Sequence, residues 1–286
     1  MLHNRIYEPK VGERLYHYCD GNSFAAICSS GRLRLNDLFA MNDFMELHWG
    51  YHIWELAAGE MLDEVGKDFL DKIDEIVSDS GFHLLLVGSC FSLDGDVLSQ
   101  WRAYSNDGSG YAIGFDATVL PKLQVRPLRV LYDKRQQIEE AKLFIKSIHH
   151  VEKKEELKFG SDFFNACAVF ACDLAAFKNP AFSEEKEIRI VHVLDFVPSN
   201  QTLKLVDKGG EAFDQAVAGE EVKFRMKDEI PVAYIDIDFT NAGKINPVKD
   251  VVLGPKNNAI VPGISIFLET LGVGNVNIRQ SKATYR

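Results

Sequence analysis

The chain has 286 residues, 46% hydrophobic and 26% charged, which is enough to bury a full core and ordinary for a globular protein. Its formal net charge of −10 works against loose binding to nucleic acid or anionic membrane, although a local basic groove stays open. Five cysteines (Cys19, Cys28, Cys90, Cys167, Cys172) without a Cys-x-x-Cys pair suggest neither a zinc knuckle nor a disulfide framework, and fit free thiols in a reducing compartment.

The opening MLHNRIYEPK has no apolar h-region and no window is a continuous membrane span, so a cytoplasmic location without a membrane partner is expected. Arg14–Tyr18 reads as a strand. Asn22 or Ser23 caps a helix over Phe24–Ser30, with Gly31 closing it, and Arg32–Leu35 alternates like a second strand. Apolar residues at helical spacing run from about Phe44 to Val77. Leu84–Ser92 is apolar throughout, as in a buried strand. Val97–Tyr104 reads as a short helix and Tyr111–Phe115 as a strand. Val125–Tyr132 is another strand candidate, which Pro127 makes an edge or broken strand. Charged helices are expected at about 135–157 and 161–177. Strands follow at Ile188–Val193, Leu203–Val206, Val222–Arg225, Val232–Ile237 and Val248–Leu253, then a helix near Val261–Leu271 and a last strand near Val276–Ser281. The helices fall in blocks and the pattern does not alternate βαβ. The expected class is therefore α+β, one domain over residues 1–286, with a helical insert at about 135–178 packed on a sheet. No glycine-rich nucleotide loop stands at a strand–helix junction.

Several groups could carry chemistry. His17, between Tyr16 and Tyr18 on the first strand, can bond a ligand hydroxyl or be a satisfied sheet-edge histidine. Asn42, Asp43 and Glu46 make a helix N-cap or one wall of a pocket. His48 and His52, near Glu55, lack the His-Glu-x-x-His pattern, and no metal site is expected. Trp101, Arg102 and Tyr104, which follow Ser89–Ser92, offer a stacking and cation–π platform for a base or nicotinamide, or else an anchored core corner. Cys90 with His17 or His83 is a weaker nucleophile candidate, since nothing local marks an activated thiol. Glu185 and Glu187, spaced by two, place both carboxylates on one strand face with Arg189 in line and Ile188 and Ile190 toward the core. Read alone, that charged run also fits an exposed edge strand.

The ordered set LYHY, SGRLRL, MNDFME, SCFS, LSQWRAYSNDGSGYAIGF, FKNPAFSEEKEIRIV and VVLGPK resembles the family called domain of unknown function 2971 across almost the whole chain. Phe44 stands where that family usually has Pro. The opening segment is similar to that of the ADP-ribosyltransferase-like fold, toxin branch included, which implies a mixed or antiparallel split sheet. The resemblance implies NAD as substrate, His17 holding a ribose hydroxyl, and Tyr104 or Tyr111 stacking on nicotinamide. Trp101, Arg102 and Arg189 complete the expected cofactor-binding set. Glu187 would stabilise the cationic sugar and Glu185 would orient a protein or nucleic-acid acceptor. A toxin or antiphage effector is the setting it implies. A catalytically silent nucleotide- or protein-sensing module of the same fold is the alternative. A nuclease or other hydrolase fits less well, given the acidic balance and the absence of a metal cluster in the sequence.

Overall fold

The computed structural model describes residues 5–38, 44–78 and 84–285, the side chains of 44–47 excepted. Its strands are β1 (Arg14–Cys19), β2 (Arg32–Asp37), β3 (Leu84–Ser92), β4 (Tyr111–Asp116), β5 (Arg126–Arg129), β6 (Glu187–Pro198), β7 (Leu203–Val206), β8 (Gly210–Ala212), β9 (Gln215–Val217), β10 (Lys223–Lys227), β11 (Ile230–Asp238), β12 (Val248–Leu253) and β13 (Asn277–Gln280). The helices are α1 (Gly21–Ser30), α2 (Phe44–Val65), α3 (Lys67–Ser78), α4 (Leu98–Tyr104), α5 (Lys134–Glu152), α6 (Ser161–Leu174) and α7 (Val261–Thr270). Short 3₁₀ turns cover Ala117–Lys122 and Pro180–Glu185.

The protein is α+β. One large sheet runs β10-β11-β2-β3-β1-β4-β12-β13, with β6 on the far edge of β3 and β5 and β7 on β6. Its ladders are antiparallel except β12 with β13, and β8–β9 is a separate hairpin. One face buries Leu15, Leu33, Ile113, Ile188, Ile190, Ile235 and Val251 against α1 and α7. The other face meets the end of α6 through Cys172, Ala175 and Ala176. A second core, around Trp54, Met61, Ile73, Phe144 and Phe170, joins α2 and α3 to α5 and α6. The helical layer is therefore built from two separated segments, and 135–178 supplies only half of it.

Local chemistry explains most boundaries. The cap of α1 is Asp20, whose side chain accepts from the Ser23 N–H at 2.7 Å, so the helix starts before the expected Asn22 or Ser23. Gly31 closes it in the left-handed region at φ 63, as expected. The long helical stretch breaks into α2 and α3 at Gly66, φ 85. Pro127 lies in β5, which pairs with β6 on one side; on the other, Ile6 bridges to Leu128 and the Tyr7 N–H donates to the Pro127 carbonyl at 2.9 Å, so the missing proline N–H costs no ladder bond there. The hairpin Gly210–Val217 was not expected, because neither strand has an apolar repeat.

Candidate functional site

The geometry of the site begins with an interruption in the sheet. Along one edge of β3, β2 pairs at Val87 and Gly88, and β1 pairs at Ser92. Between them His17 of β1 bonds to the Cys90 carbonyl through Nδ1 at 3.0 Å. A carbonyl only accepts, so Nδ1 carries the proton. Burial pushes the His17 pKa below 6.5, against the pull of that hydrogen bond, and the ring is neutral at pH 7. In that tautomer Nε2 is an acceptor.

The far side of the gap is built by β6 and the turn before it. Asn179 caps the turn by accepting from the Ala181 N–H at 3.0 Å. Glu185 ends the turn, Lys186 is left-handed at φ 45, and β6 starts at Glu187. Ser92 Oγ holds the Glu185 carbonyl at 2.7 Å, and the Glu187 N–H donates to Tyr132 at 3.0 Å. The two carboxylates thus converge through a turn, and the expected strand alternation applies only from Glu187 to Arg189.

All three charges are buried: exposure is 6% at Glu185, 4% at Glu187 and 3% at Arg189, which rules out the exposed-edge reading. Lys178, 2% exposed, sits between the acids, 2.5 Å from Glu185 and 3.0 Å from Glu187. Arg189 Nε donates to Glu187 at 2.8 Å and its Nη1 to the Ala175 carbonyl at 2.6 Å. Burial alone would raise the Glu187 pKa; Arg189, Lys178 and the Cys90 thiol overcome it and bring it down to about 2. Glu187 is a fixed carboxylate, not a proton donor.

His17, Tyr104, Cys90, Glu185 and Glu187 line one cleft of ≈ 90 Å³. Asn36, Ser89 and Gln100 are among the other residues that line it. Burial also raises the Tyr104 phenol, so it stays protonated and can donate. This volume is well below the roughly 300 Å³ at which small-molecule sites begin, and it admits one ring or sugar edge.

Other expected residues lie elsewhere. Trp101 is fully buried, edge-on to Tyr18 at 4.8 Å, with Nε1 bonded to Asp96 at 2.8 Å; it is a core anchor, not a stacking platform. Arg102 lies over Tyr285, and Tyr111 stacks on Phe24 at 4.1 Å; neither lines the cleft. Arg189 stands behind Glu187 instead of facing a ligand. Asn42, Asp43, His83 and the side chain of Glu46 fall outside the described residues. His52 is 3.8 Å from Glu55, and the described residues contain no group of three possible metal ligands. Sequence reasoning missed the role of Lys178; a lysine in the apolar run AAFKNPAF was the available signal.

A family model described as protein of unknown function (DUF2971) matches residues 100–190, a stretch that starts within α4 and holds the α5–α6 pair and the Glu185–Arg189 run. Over that stretch the chain is similar to the family, and His17 lies outside it. No curated protein and no solved structure matches the chain. No described helix is long and apolar enough to cross a membrane.

Proposed function

We propose that the protein is an ADP-ribosyltransferase-like enzyme that takes NAD as substrate and transfers ADP-ribose to a macromolecular acceptor. The observation that carries this reading is the convergence of His17, Tyr104 and Glu187, from distant parts of the chain, on one cleft. In the proposed step the bond between the ribose C1′ and nicotinamide breaks, and nicotinamide leaves with the electron pair. Positive charge then builds on the sugar, where a buried carboxylate is most effective because little water screens it. Nε2 of neutral His17 accepts from a ribose hydroxyl, and Tyr104 packs on the ring. Glu185 faces the acceptor, whose nucleophilic atom attaches to C1′ and loses its proton. By analogy with the toxin branch of that fold, a toxin or antiphage effector is the proposed setting.

A test is incubation of wild type, Glu187→Gln and His17→Ala with labelled NAD, with and without lysate. The expected result is label transfer or free nicotinamide from wild type only, with all three proteins folded. Wild type that neither binds nor consumes NAD would end the proposal. The alternative, a silent sensing module, draws on the ≈ 90 Å³ volume and on the neutralisation of both acids by Lys178 and Arg189. It predicts stabilisation by NAD without turnover.

A further inference from the structure

A second interruption of the sheet lies on the outer edge of β6. Strand β5 ends where Arg126 pairs with Val191, and β7 begins where Val206 pairs with Asp195. The Glu187 N–H and C=O both face the β5 side, toward Tyr132 and Val130. Alternation then aims the N–H and C=O of Val193 at the same side, where neither β5 nor β7 reaches. In the first gap His17 bonds to the Cys90 carbonyl; in the second, no side chain among the described residues bonds to the Val193 peptide.

A cavity of ≈ 650 Å³ opens at this second gap, bounded by Pro121–Arg126, β6 and the loop from Lys208 to Asp214. Gln124 lines it at 8% exposure, and its side-chain Oε1 is buried without a hydrogen-bond partner. The backbone there is held firmly: His192 Nδ1 bonds to the Gln124 carbonyl at 2.7 Å, and Nε2 bonds to Asp207 at 2.8 Å. Leu123, Val191 and Phe213 supply apolar walls, Glu211 and Asp214 carboxylates, and Lys122 a cation.

We infer that this cavity is a second ligand site and that it takes a nucleoside or a nucleoside monophosphate. A base edge with adjacent donor and acceptor matches the Val193 peptide, and turning the Gln124 side chain outward brings its unpartnered amide oxygen to the same edge. Apolar walls cover the base faces, and carboxylates accept from ribose hydroxyls as they do in dinucleotide sites. Lys122 meets a 5′-phosphate. The volume lies in the usual range for ligand sites, about 300–1,000 Å³. At about 3.3 Å per residue along β6, Val193 is about 20 Å from Glu187, so this site does not depend on the proposed activity.

Isothermal titration of the intact protein with adenosine, guanosine, cytidine, uridine and AMP tests the inference. One saturable site is expected, weakened about tenfold or more by Gln124→Leu and by Val169→Trp, which fills the cavity from an exposed position of α6. Glu187→Gln and His17→Ala should bind as wild type, and Lys122→Ala should erase any advantage of AMP over adenosine. Melting curves check the variants; should Gln124→Leu not fold, Val169→Trp carries the test. The inference is overturned by no saturable binding at millimolar ligand. Binding that survives Val169→Trp but is lost in His17→Ala would also overturn it, placing the ligand in the first cleft.

Discussion

Replacing Lys178 by Met leaves Glu185 and Glu187 buried and close together, with Arg189 the ion pair remaining to Glu187. Removing one partner of a buried pair costs about 3–5 kcal/mol, because a charge is stranded out of water. A second route gives a similar size. A fall of the Glu187 pKa from 4.5 to about 2 corresponds to about 3 kcal/mol favouring its ionised form in the folded chain. The sign follows from linkage. A depressed folded pKa contributes stability that is fully present above 4.5 and is lost as pH falls toward about 2. Without Lys178, one of the charges that hold it down, Glu187 takes up its proton at higher pH. The deficit of Lys178→Met should therefore be about 3–5 kcal/mol at pH 7 and clearly smaller at pH 4.5. Urea unfolding at both pH values measures it, and Lys178→Met with Glu185→Gln should recover part of the loss. A deficit under about 1 kcal/mol, the size of an exposed pair, or one that does not change with pH, would refute the buried network.

Other outcomes follow from the same geometry. Glu187→Gln should flatten the acid limb between pH 4.5 and about 2 relative to wild type, as read from melting temperatures. Four of the five free cysteines are buried and Cys90 is not, so a maleimide should label one thiol per folded chain, and a cleft ligand should slow it. Asp96 accepts from Trp101 Nε1 at 2.8 Å, from the Lys282 N–H at 2.7 Å and from Ser281, pinning the C-terminal segment to α4. Asp96→Ala should cost about 2–3 kcal/mol and shift Trp101 fluorescence; an unchanged spectrum would mean the pin does not hold Trp101. Gly66→Ala meets open space but keeps a positive φ, so its cost should stay within about 1–2 kcal/mol in chemical unfolding.

Much of the secondary structure was legible because its signals are local. The apolar run Leu84–Ser92, the Gly31 stop and Pro127 at an edge each act through the backbone of a few residues. The α1 cap was misplaced because Asp20, Asn22 and Ser23 can all cap, and only Asp20 has the extended backbone that brings its oxygen to the Ser23 N–H. Trp101 was ambiguous for a different reason. A Trp–Arg–Tyr triplet on a short helix spreads its side chains in three directions, and packing on Tyr18 took the Trp inward while leaving the Tyr at the cleft.

Sequence by itself determined the class, the strand that carries His17 and the carboxylate run that ends the turn before β6, since period and turn chemistry are written in neighbouring residues. Tertiary structure alone decided that the run is buried, that Lys178 joins it, and that β1 and β2 part on β3 to leave a carbonyl for His17. Burial and charge pairing depend on which distant segments share a space, and no local pattern encodes that.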